Sequence, residues 1–250
     1  MKDKKKKTKR PIMFKFALWI TGVFYGKIEY VGLENIPKDP CLIIGNHTQI
    51  HGPYCAMKYF PYPKQIWCKG QMMKVKEVPA YAYQDFWYLK PKATRWLYKI
   101  LSYLIAPLCA FLFSNADTIA VYHDKRVINT FKKSVEALNN SEYVFIFPEN
   151  RTDYNEIVND FSLGFVNVAK YYYKSTQKSI AFVPMYTTPA LKKVVFGKPI
   201  IYSPHIDMEE QSVTICNHLK EEITRIAKEL PRHKVVPYKN IKKKDYPYSK

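Results

Sequence analysis

The sequence predicts an α/β fold built on a central, mostly parallel sheet that is flanked by helices. Two observations lead to this prediction: short, continuously apolar runs rich in Val, Ile and Phe recur along the 250 residues, and amphipathic helical patterns lie between them. Strands that alternate with helices favour a sheet covered on both faces. A chain of this length can bury one large core, and neither an internal repeat nor a long Gly/Ser linker interrupts it.

The apolar runs give the expected strands, which lie at residues 41–45, 118–123, 143–147, 180–186 and 193–202. Pro184 interrupts the fourth run. Because proline donates no backbone hydrogen bond, it indicates a sheet edge or a bend at that position. Apolar side chains at helical spacing predict helices over residues 125–140, 161–173 and 208–230.

Basic charge is concentrated at both ends of the chain. Forty Lys and Arg against 21 Asp and Glu give a net charge of +19, and seven of the basic residues lie in the first ten positions. An apolar, aromatic stretch at residues 11–26 follows directly, which is typical of a segment that lies on an anionic membrane surface. The alternative is a solvated tail followed by a core helix. The stretch is short for a spanning helix, and no small-residue cleavage site follows it, as a secretory signal would require.

A second apolar stretch, residues 96–113, carries the single charge of Lys99 and predicts a helix that docks in a membrane or lines a pocket for a fatty chain. A core helix is the alternative. The five cysteines form no CxxC pair, which indicates a reducing location. We therefore expect the protein at the cytoplasmic face of a membrane, with a main domain over residues 32–230, a membrane-associating segment at 1–31 and a basic C-terminal tail at 231–250.

Asn46 and His47 follow the first expected strand, at the kind of strand end where ligand crevices open in α/β folds. A histidine there can act as a general base, because its ordinary pKa is about 6.5. His51 lies four residues further on, so the two histidines could also be structural or bind a metal. Gly52-Pro53 disfavours a helix that spans both histidines, and no HExxH motif is present, so a metal site is the least favoured interpretation.

Glu149, Arg151 and Asp153 follow the strand expected at residues 143–147. Three charged residues make a poor core, so we expect them to line a cleft or to form a surface ion network. An arginine suits a phosphate ligand, because its planar guanidinium donates paired hydrogen bonds.

The chain resembles the glycerol-phosphate/lysophosphatidate acyltransferase (PlsC-like) family. The resemblance rests on the order of NH at 46–47, FPENRT at 147–152, F-x-x-G at 161–164, VPMY at 183–186 and FGKPI at 196–200. It extends from about Gly32 to Leu230. It implies a membrane enzyme that transfers a fatty acyl group from a thioester to the hydroxyl of a lysophospholipid such as 1-acylglycerol-3-phosphate. It implies no cofactor, since acyl-CoA or an acyl-carrier-protein thioester would be a co-substrate.

The resemblance also implies roles for single residues. His47 would be the catalytic base, while the aspartate that orients it in the family falls at position 52, which is Gly here. Glu149 is then the first candidate to hold the far nitrogen of the His47 ring, followed by His51, a backbone carbonyl and Asp153. The expected substrate-binding residues are Arg151 and, more weakly, Lys69 for the acceptor phosphate, together with Asn46, Thr152, Pro184 and His123, which replaces an arginine of the family.

The missing aspartate leaves a second function open, a lipid-binding member of the same fold that has no turnover. Nucleic-acid binding would rest on net charge alone, and the basic residues cluster at the chain ends rather than along one face. The expected partners are therefore an anionic membrane surface, a lysophospholipid acceptor and an acyl thioester donor, and not nucleic acid.

Overall fold

The computed structural model describes residues 10–87, 90–239 and 241–249. The basic cluster at residues 2–9 lies outside the described residues. The helices are α1 (Ile12–Tyr25), α2 (His51–Tyr59), α3 (Val78–Ala82), α4 (Arg95–Ser114), α5 (Val127–Asn139), α6 (Asn167–Thr176) and α7 (Met208–Glu229). The strands are β1 (Glu29–Val31), β2 (Leu42–Gly45), β3 (Lys64–Lys69), β4 (Thr118–Val121), β5 (Tyr143–Ile146), β6 (Glu149–Tyr154), β7 (Asn159–Phe161), β8 (Ala181–Thr188), β9 (Lys193–Phe196) and β10 (Ile200–Ile201).

The main sheet confirms the predicted fold class. Its strand order is β1-β9-β8-β2-β5-β3-β4, with β10 also paired to β8. The central strands β8, β2, β5, β3 and β4 all run parallel to one another, and β9 and β10 run antiparallel to β8. Strands β6 and β7 form a separate antiparallel hairpin. The carboxyl ends of the five parallel strands therefore meet at one edge, which we call the carboxyl edge.

Alternate residues of the central strands bury opposite faces of the sheet. In β2, Leu42 and Ile44 join a core that also receives side chains from α5, α6 and α7, whereas Ile43 joins a second core with Cys55 and Ala56 of α2. All three β2 residues are fully buried. This period-two alternation with both faces covered explains why the strands read as continuous apolar runs.

Two of the expected strands differ from the prediction. The run at residues 193–202 forms two strands, β9 and β10, because the Gly197–Pro199 segment breaks it. The expected sheet edge at Pro184 is wrong, because β8 lies between β2 and β9. The Pro184 carbonyl accepts a hydrogen bond from the Gly197 N–H at 2.9 Å, so this residue faces the break between β9 and β10. Proline has no backbone N–H, and on the side of β8 that faces this break no strand is available to accept a hydrogen bond from one. The sheet therefore loses no hydrogen bond at Pro184.

Both predicted apolar helices, α1 and α4, expose apolar faces. In α1 the exposed residues are Ile12, Met13, Phe16, Trp19, Ile20 and Val23, and in α4 they are Trp96, Leu97, Ile100, Leu101, Tyr103, Leu104 and Leu108. The opposite face of α4 buries Ser102, Ala106 and Ala110 in a small cluster with α3. Among the described helices, the stretch Lys92–Ser114 is long and apolar enough to cross a membrane, judged by length and composition only.

An ion pair links the residues that flank the two apolar helices. Arg10, just before α1, forms an ion pair with Asp117, just after α4. The C-terminal half of α1 rests on α2, where the Tyr54 hydroxyl donates to Thr21 Oγ1 at 2.8 Å and the Lys58 ammonium donates to the Leu18 carbonyl at 2.9 Å.

Residues after α7 fold back onto the domain. The Ser249 N–H donates to the His233 carbonyl at 3.0 Å and the Val235 N–H to the Pro247 carbonyl at 2.9 Å, so two short extended segments lie side by side. His233 is buried, and its ring is 2.8 Å from the Tyr186 hydroxyl of β8. This pairing attaches the end of the chain to the centre of the sheet.

Candidate active site

The carboxyl edge gathers polar residues from four neighbouring strands. His47 follows β2, Glu149 follows β5, Lys69 ends β3, and His123 follows β4. These strands are adjacent and parallel, with Ile44 opposite Ile146 and Lys69 opposite Val121. Crevices at this edge are the usual ligand sites of α/β sheets.

Asn46 fixes the start of the loop that carries His47. Its side chain is fully buried and makes paired hydrogen bonds with Thr187 of β8, accepting from the backbone N–H at 2.7 Å and donating to the carbonyl at 3.1 Å. Both polar atoms of the amide are therefore used within the fold. Asn46 therefore fixes the direction in which the loop leaves β2, and its side-chain amide is not available to bind a ligand.

The loop between His47 and His51 is tightly turned. Thr48 and Gln49 both adopt positive φ angles, 43° and 58°, and α2 begins only at His51. The expectation that no helix spans the two histidines is confirmed. At Gly52, an added Cβ would lie 2.4 Å from the Asn46 carbonyl oxygen and 2.8 Å from the Phe147 ring. A side chain at position 52 does not fit this loop.

His47 lies between aromatic rings at the carboxyl edge. The ring centroids of Phe147 and Tyr238 are 5.7 Å and 5.2 Å from that of His47. The Nδ1 atom of His47 is buried and has no hydrogen-bond partner within the described parts of the chain. Burial lowers the pKa of His47, and the charge of Lys69 adds a small lowering. Backbone hydrogen bonds at Gln49 and His47, and then the charge of Asp85, oppose the shift. The imidazole is therefore neutral at pH 7, as a general base must be.

Glu149 binds the backbone beside His47 rather than the imidazole ring. Its Oε1 accepts from the His47 backbone N–H at 2.6 Å, and its Oε2 accepts from the Asn159 backbone N–H at 2.9 Å. The side chain is buried, and burial raises the pKa of Glu149 to about 7, although the two N–H donors oppose the shift. Glu149 thus links the His47 loop to the β6–β7 hairpin.

His51 faces α1. Its Nδ1 makes a hydrogen bond with the Tyr25 hydroxyl, and the two rings lie 5.5 Å apart. Burial, and then the charge of Lys243, lowers the pKa of His51. A neutral His51 in this position joins the loop of residues 47–51 to α1.

Lys69 and His123 form a basic pair at the ends of β3 and β4. The Lys69 ammonium makes a hydrogen bond with His123 Nε2, which fixes that nitrogen as the acceptor. The charge of Lys69, followed by burial, lowers the pKa of His123. The pair offers one positive charge at the carboxyl edge, and the charge of Lys69 reaches His47.

The remaining predicted residues are Thr152, Arg151 and Pro184. Thr152 is exposed on the β6–β7 hairpin, where its backbone N–H donates to Asn150 Oδ1 at 2.9 Å, and it lines a shallow depression with Lys220 of α7. The side chain of Arg151 lies outside the described residues. Pro184 is buried within β8.

The structure adds to the site one residue that the sequence did not indicate, Tyr238 from the C-terminal segment. The charge of Asp85, from a single π-helical turn, Tyr83–Trp87, after α3, also acts on His47. Such turns occur frequently at functional sites, but they have no clear sequence signature. The one signal for Tyr238 in the sequence is an aromatic side chain within a basic tail, which Tyr246 and Tyr248 share.

No protein-family model matches the chain, and neither does any curated protein. Among solved structures, the chain is similar to the crystal structure of the 1-acyl-sn-glycerophosphate (LPA) acyltransferase, PlsC, from Thermotoga maritima. The TM-score is 0.50 at 14% sequence identity, and the match covers 87% of this chain and 83% of that one. At this identity the likeness establishes a shared fold.

Proposed function

We propose that the protein is an acyltransferase that moves a fatty acyl group from a thioester to the hydroxyl of a lysophospholipid such as 1-acylglycerol-3-phosphate. The observation that carries the proposal is a neutral histidine, His47, at the carboxyl edge of a sheet whose fold is similar to that of an acyltransferase. The neighbouring Lys69–His123 pair supplies positive charge for an anionic acceptor.

The reaction needs one proton acceptor and one electrophile. Neutral His47 takes the proton from the acceptor hydroxyl, and the hydroxyl oxygen then attacks the carbonyl carbon of the thioester. A C–O bond forms as the C–S bond breaks, and the departing thiolate recovers the proton from the imidazolium. No redox partner is required.

Stabilisation of the imidazolium is the weak point of this site. A carboxylate that orients a catalytic histidine contributes up to about four orders of magnitude in rate. Position 52 has no room for one, and Glu149 is engaged with backbone donors. Among the described residues, Asp85 is a carboxylate whose charge favours protonated His47. Asp85 would therefore stabilise the imidazolium through its charge alone, and would not orient the ring as the aspartate of the family does.

Membrane association is part of the proposal. Trp19, at 63% exposure in α1, and Leu104, at 72% in α4, represent two apolar faces that are unfavourable in water. The buried small-residue face of α4 favours a helix that docks on the bilayer with one face rather than spanning it. Together with the basic N-terminal segment, these faces would hold the carboxyl edge near lipid substrates at the cytoplasmic surface.

The test is release of free thiol from acyl-CoA and acyl-carrier-protein thioesters in the presence of lysophosphatidate. We expect acceptor-dependent release, reduced at least about a hundredfold by His47→Ala. The matched control is His205→Ala, since His205 is an exposed histidine and is distant in sequence from the loop that carries His47. Unchanged activity of His47→Ala would remove His47 as the base.

A second candidate function is lipid binding without turnover. It is favoured by the buried Nδ1 of His47, which lacks a partner among the described residues, and by the Tyr238 ring that packs on the imidazole. Stoichiometric binding of lysophosphatidate without any thiol release would support this function over the first.

A further inference from the structure

The loop from His47 to His51, which we call the histidine loop, has a strained backbone. Thr48 and Gln49 adopt φ angles of 43° and 58°. Positive φ angles are uncommon outside glycine and are particularly unfavourable for a β-branched residue such as Thr48. They persist only where the surrounding structure imposes them. The contacts at the two ends of the histidine loop therefore decide where the His47 ring lies.

The first end of the histidine loop is held by the sheet and its hairpin. The Asn46 side chain pairs with the backbone of Thr187 in β8. The His47 backbone N–H donates to Oε1 of Glu149, at the start of β6, at 2.6 Å. Asn46 and Glu149 are 0% and 7% exposed. These contacts belong to the α/β core itself.

The second end of the histidine loop is held by α1, which comes before the first strand. The hydroxyl of Tyr25, the last residue of α1, makes a hydrogen bond with Nδ1 of His51, the first residue of α2. Burial, and then the charge of Lys243, lowers the pKa of His51, so the ring is neutral at pH 7 and Nδ1 can accept the hydroxyl proton. The Tyr25 ring also packs on the Tyr54 ring of α2, with centroids 4.3 Å apart.

Backbone hydrogen bonds connect the position of His51 to that of His47. The His51 N–H donates to the Thr48 carbonyl at 3.0 Å, and the Gly52 N–H donates to the His47 carbonyl at 3.2 Å. The Gly52 N–H also donates to Thr48 Oγ1 at 3.0 Å. A displacement of His51 would therefore change the backbone at Thr48 and His47.

We propose that Tyr25 is a positioning residue for His47: its hydroxyl, acting through His51, holds the histidine loop in the strained conformation that presents the His47 ring at the carboxyl edge. This inference rests on the proposed function, in which His47 is the general base. The packing of α1 on α2 is then part of the active site as well as a means of attachment.

A second contact between the same two helices provides a matched control. One turn before Tyr25, Thr21 Oγ1 accepts a hydrogen bond from the Tyr54 hydroxyl at 2.8 Å. This bond joins α1 to α2 without involving the histidine loop. Tyr25→Phe and Thr21→Val each remove one hydrogen bond between the helices and keep nearly the same side-chain size, so they differ in whether that bond reaches His51.

Backbone amide hydrogen exchange of the full chain tests the proposal without any substrate. We expect the amides of His51 and Gly52 to exchange at least about tenfold faster in Tyr25→Phe than in the natural protein, and to be unchanged in Thr21→Val. Unchanged exchange in Tyr25→Phe, or an equal increase in both variants, would overturn the proposal.

Acyl-transfer kinetics separate positioning of the base from contact with the substrate. Tyr25→Phe should lower kcat about tenfold and leave the KM for lysophosphatidate within about twofold, because the hydroxyl positions His47 without touching the acceptor. His51→Leu should have the same effect. The double variant should lose no more than either single variant, since both remove the same hydrogen bond. A raised KM with kcat unchanged, or losses that add, would contradict the proposed role.

His51→Asn is the conservative variant. The asparagine side-chain oxygen occupies about the place of Nδ1, so this variant keeps an acceptor for the Tyr25 hydroxyl. It should retain most of the kcat and the slow amide exchange that His51→Leu loses. Equal losses in the two variants would overturn the role of the Tyr25–His51 bond.

The two measurements also distinguish failure of this inference from failure of the proposed function. Acyl transfer by the natural protein together with unchanged exchange in Tyr25→Phe would contradict this inference alone. Faster exchange in Tyr25→Phe without acyl transfer by the natural protein would contradict the proposed reaction, and would still support Tyr25 as the residue that holds the histidine loop.

Discussion

The burial of His47 has a consequence for the pH dependence of activity. The pKa of His47 lies below its ordinary value of 6.5, chiefly because burial disfavours the imidazolium. The acid limb of kcat/KM should therefore have its midpoint below 6.5, so that activity persists into mildly acidic solution. Acyl transfer measured between pH 5 and pH 8 checks this. A midpoint above 6.5 would mean that a nearby carboxylate controls the ring in the working enzyme.

Glu149 should make the stability of the fold depend on pH. Burial raises the pKa of Glu149 from 4.5 to about 7, so the folded chain binds this proton more tightly than the unfolded chain. The stabilisation is complete below about pH 4.5 and is lost as pH rises through about 7. The loss amounts to about 3 kcal/mol.

The Glu149→Gln variant isolates this contribution. Glutamine does not titrate, so the variant should be less stable than the natural protein at pH 5 and should close much of that gap at pH 8. The measurement is the free energy of unfolding in urea at both pH values. A gap that is the same at both would show that Glu149 is ionised throughout.

Gly52 is required by its neighbours. An added Cβ would meet the backbone oxygens of Asn46 and His47 at 2.4 Å and 3.1 Å, and backbone atoms cannot rotate away. We expect Gly52→Ala to lower the free energy of unfolding by about 2 kcal/mol or more. Gly164→Ala is the control, because a Cβ at Gly164 would meet no atom within 4 Å. Equal melting temperatures of the two variants would contradict the steric account. For the same reason, Gly52→Asp would disturb the loop before it could restore a carboxylate.

At the scale of the element, α4 offers the clearest test of membrane docking. Leu104 and Leu108 are 72% and 57% exposed on its apolar face. Leu104→Gln/Leu108→Gln should weaken binding to phosphatidylglycerol vesicles at least about fivefold, since each leucine loses apolar area that would enter the bilayer. The control variant Ile128→Gln/Val213→Gln changes residues of α5 and α7 that are 44% and 43% exposed. Equal binding of the two double variants in a vesicle flotation assay would exclude α4 as a contact.

The regular elements were largely predictable because each buries a continuous or periodic apolar pattern. Strands β2, β4, β5 and β8 and most of the predicted helices lie close to their expected positions. The helix predicted over residues 161–173 is the exception, because Phe161 ends β7 and α6 begins only at Asn167. Strand β3 was missed because its sequence, KQIWCK, mixes polar and apolar residues, and only the first half of the strand pairs with β5. The β6–β7 hairpin was missed because its charged residues suggested a loop. Local patterns cannot show that a polar segment is paired with another polar segment.

At the scale of the whole molecule, the positions of His47 and Glu149 on the carboxyl edge followed from the predicted strand ends, but their contacts did not. The sequence placed Glu149 near His47, whereas the choice between the ring and the backbone N–H depends on a loop with two positive φ angles. Tyr238 reaches His47 from 191 positions away in the numbering, which no local pattern reveals. The roles of these residues in catalysis stay predictions.

Net charge governs the expected attachment of the whole protein to a membrane. Each Lys or Arg near an anionic surface contributes roughly 1 kcal/mol, and salt screens that contribution, whereas insertion of the apolar faces is not screened. Deletion of residues 1–10 should therefore weaken binding to phosphatidylglycerol vesicles and make the remaining binding less sensitive to salt. Titrations at low and high salt measure both effects. An unchanged salt dependence would show that the N-terminal segment is not an anchor.

The strand order also determines when the sheet can be completed during translation. Strand β2 pairs on one side with β5, and on the other with β8, where Leu42 lies opposite Phe182. Until β8 has left the ribosome, one edge of β2 has no strand with which to form backbone hydrogen bonds. The β2 residues, which are fully buried in the folded protein, then remain partly exposed on that side. The residues after α7, including His233, are made after β8 and bind to Tyr186 of that strand. A nascent chain therefore completes the central sheet first and covers its histidine loop later, once Tyr238 has been made. A ribosome that stalled between β8 and Tyr238 would hold a finished central sheet with the histidine loop uncovered.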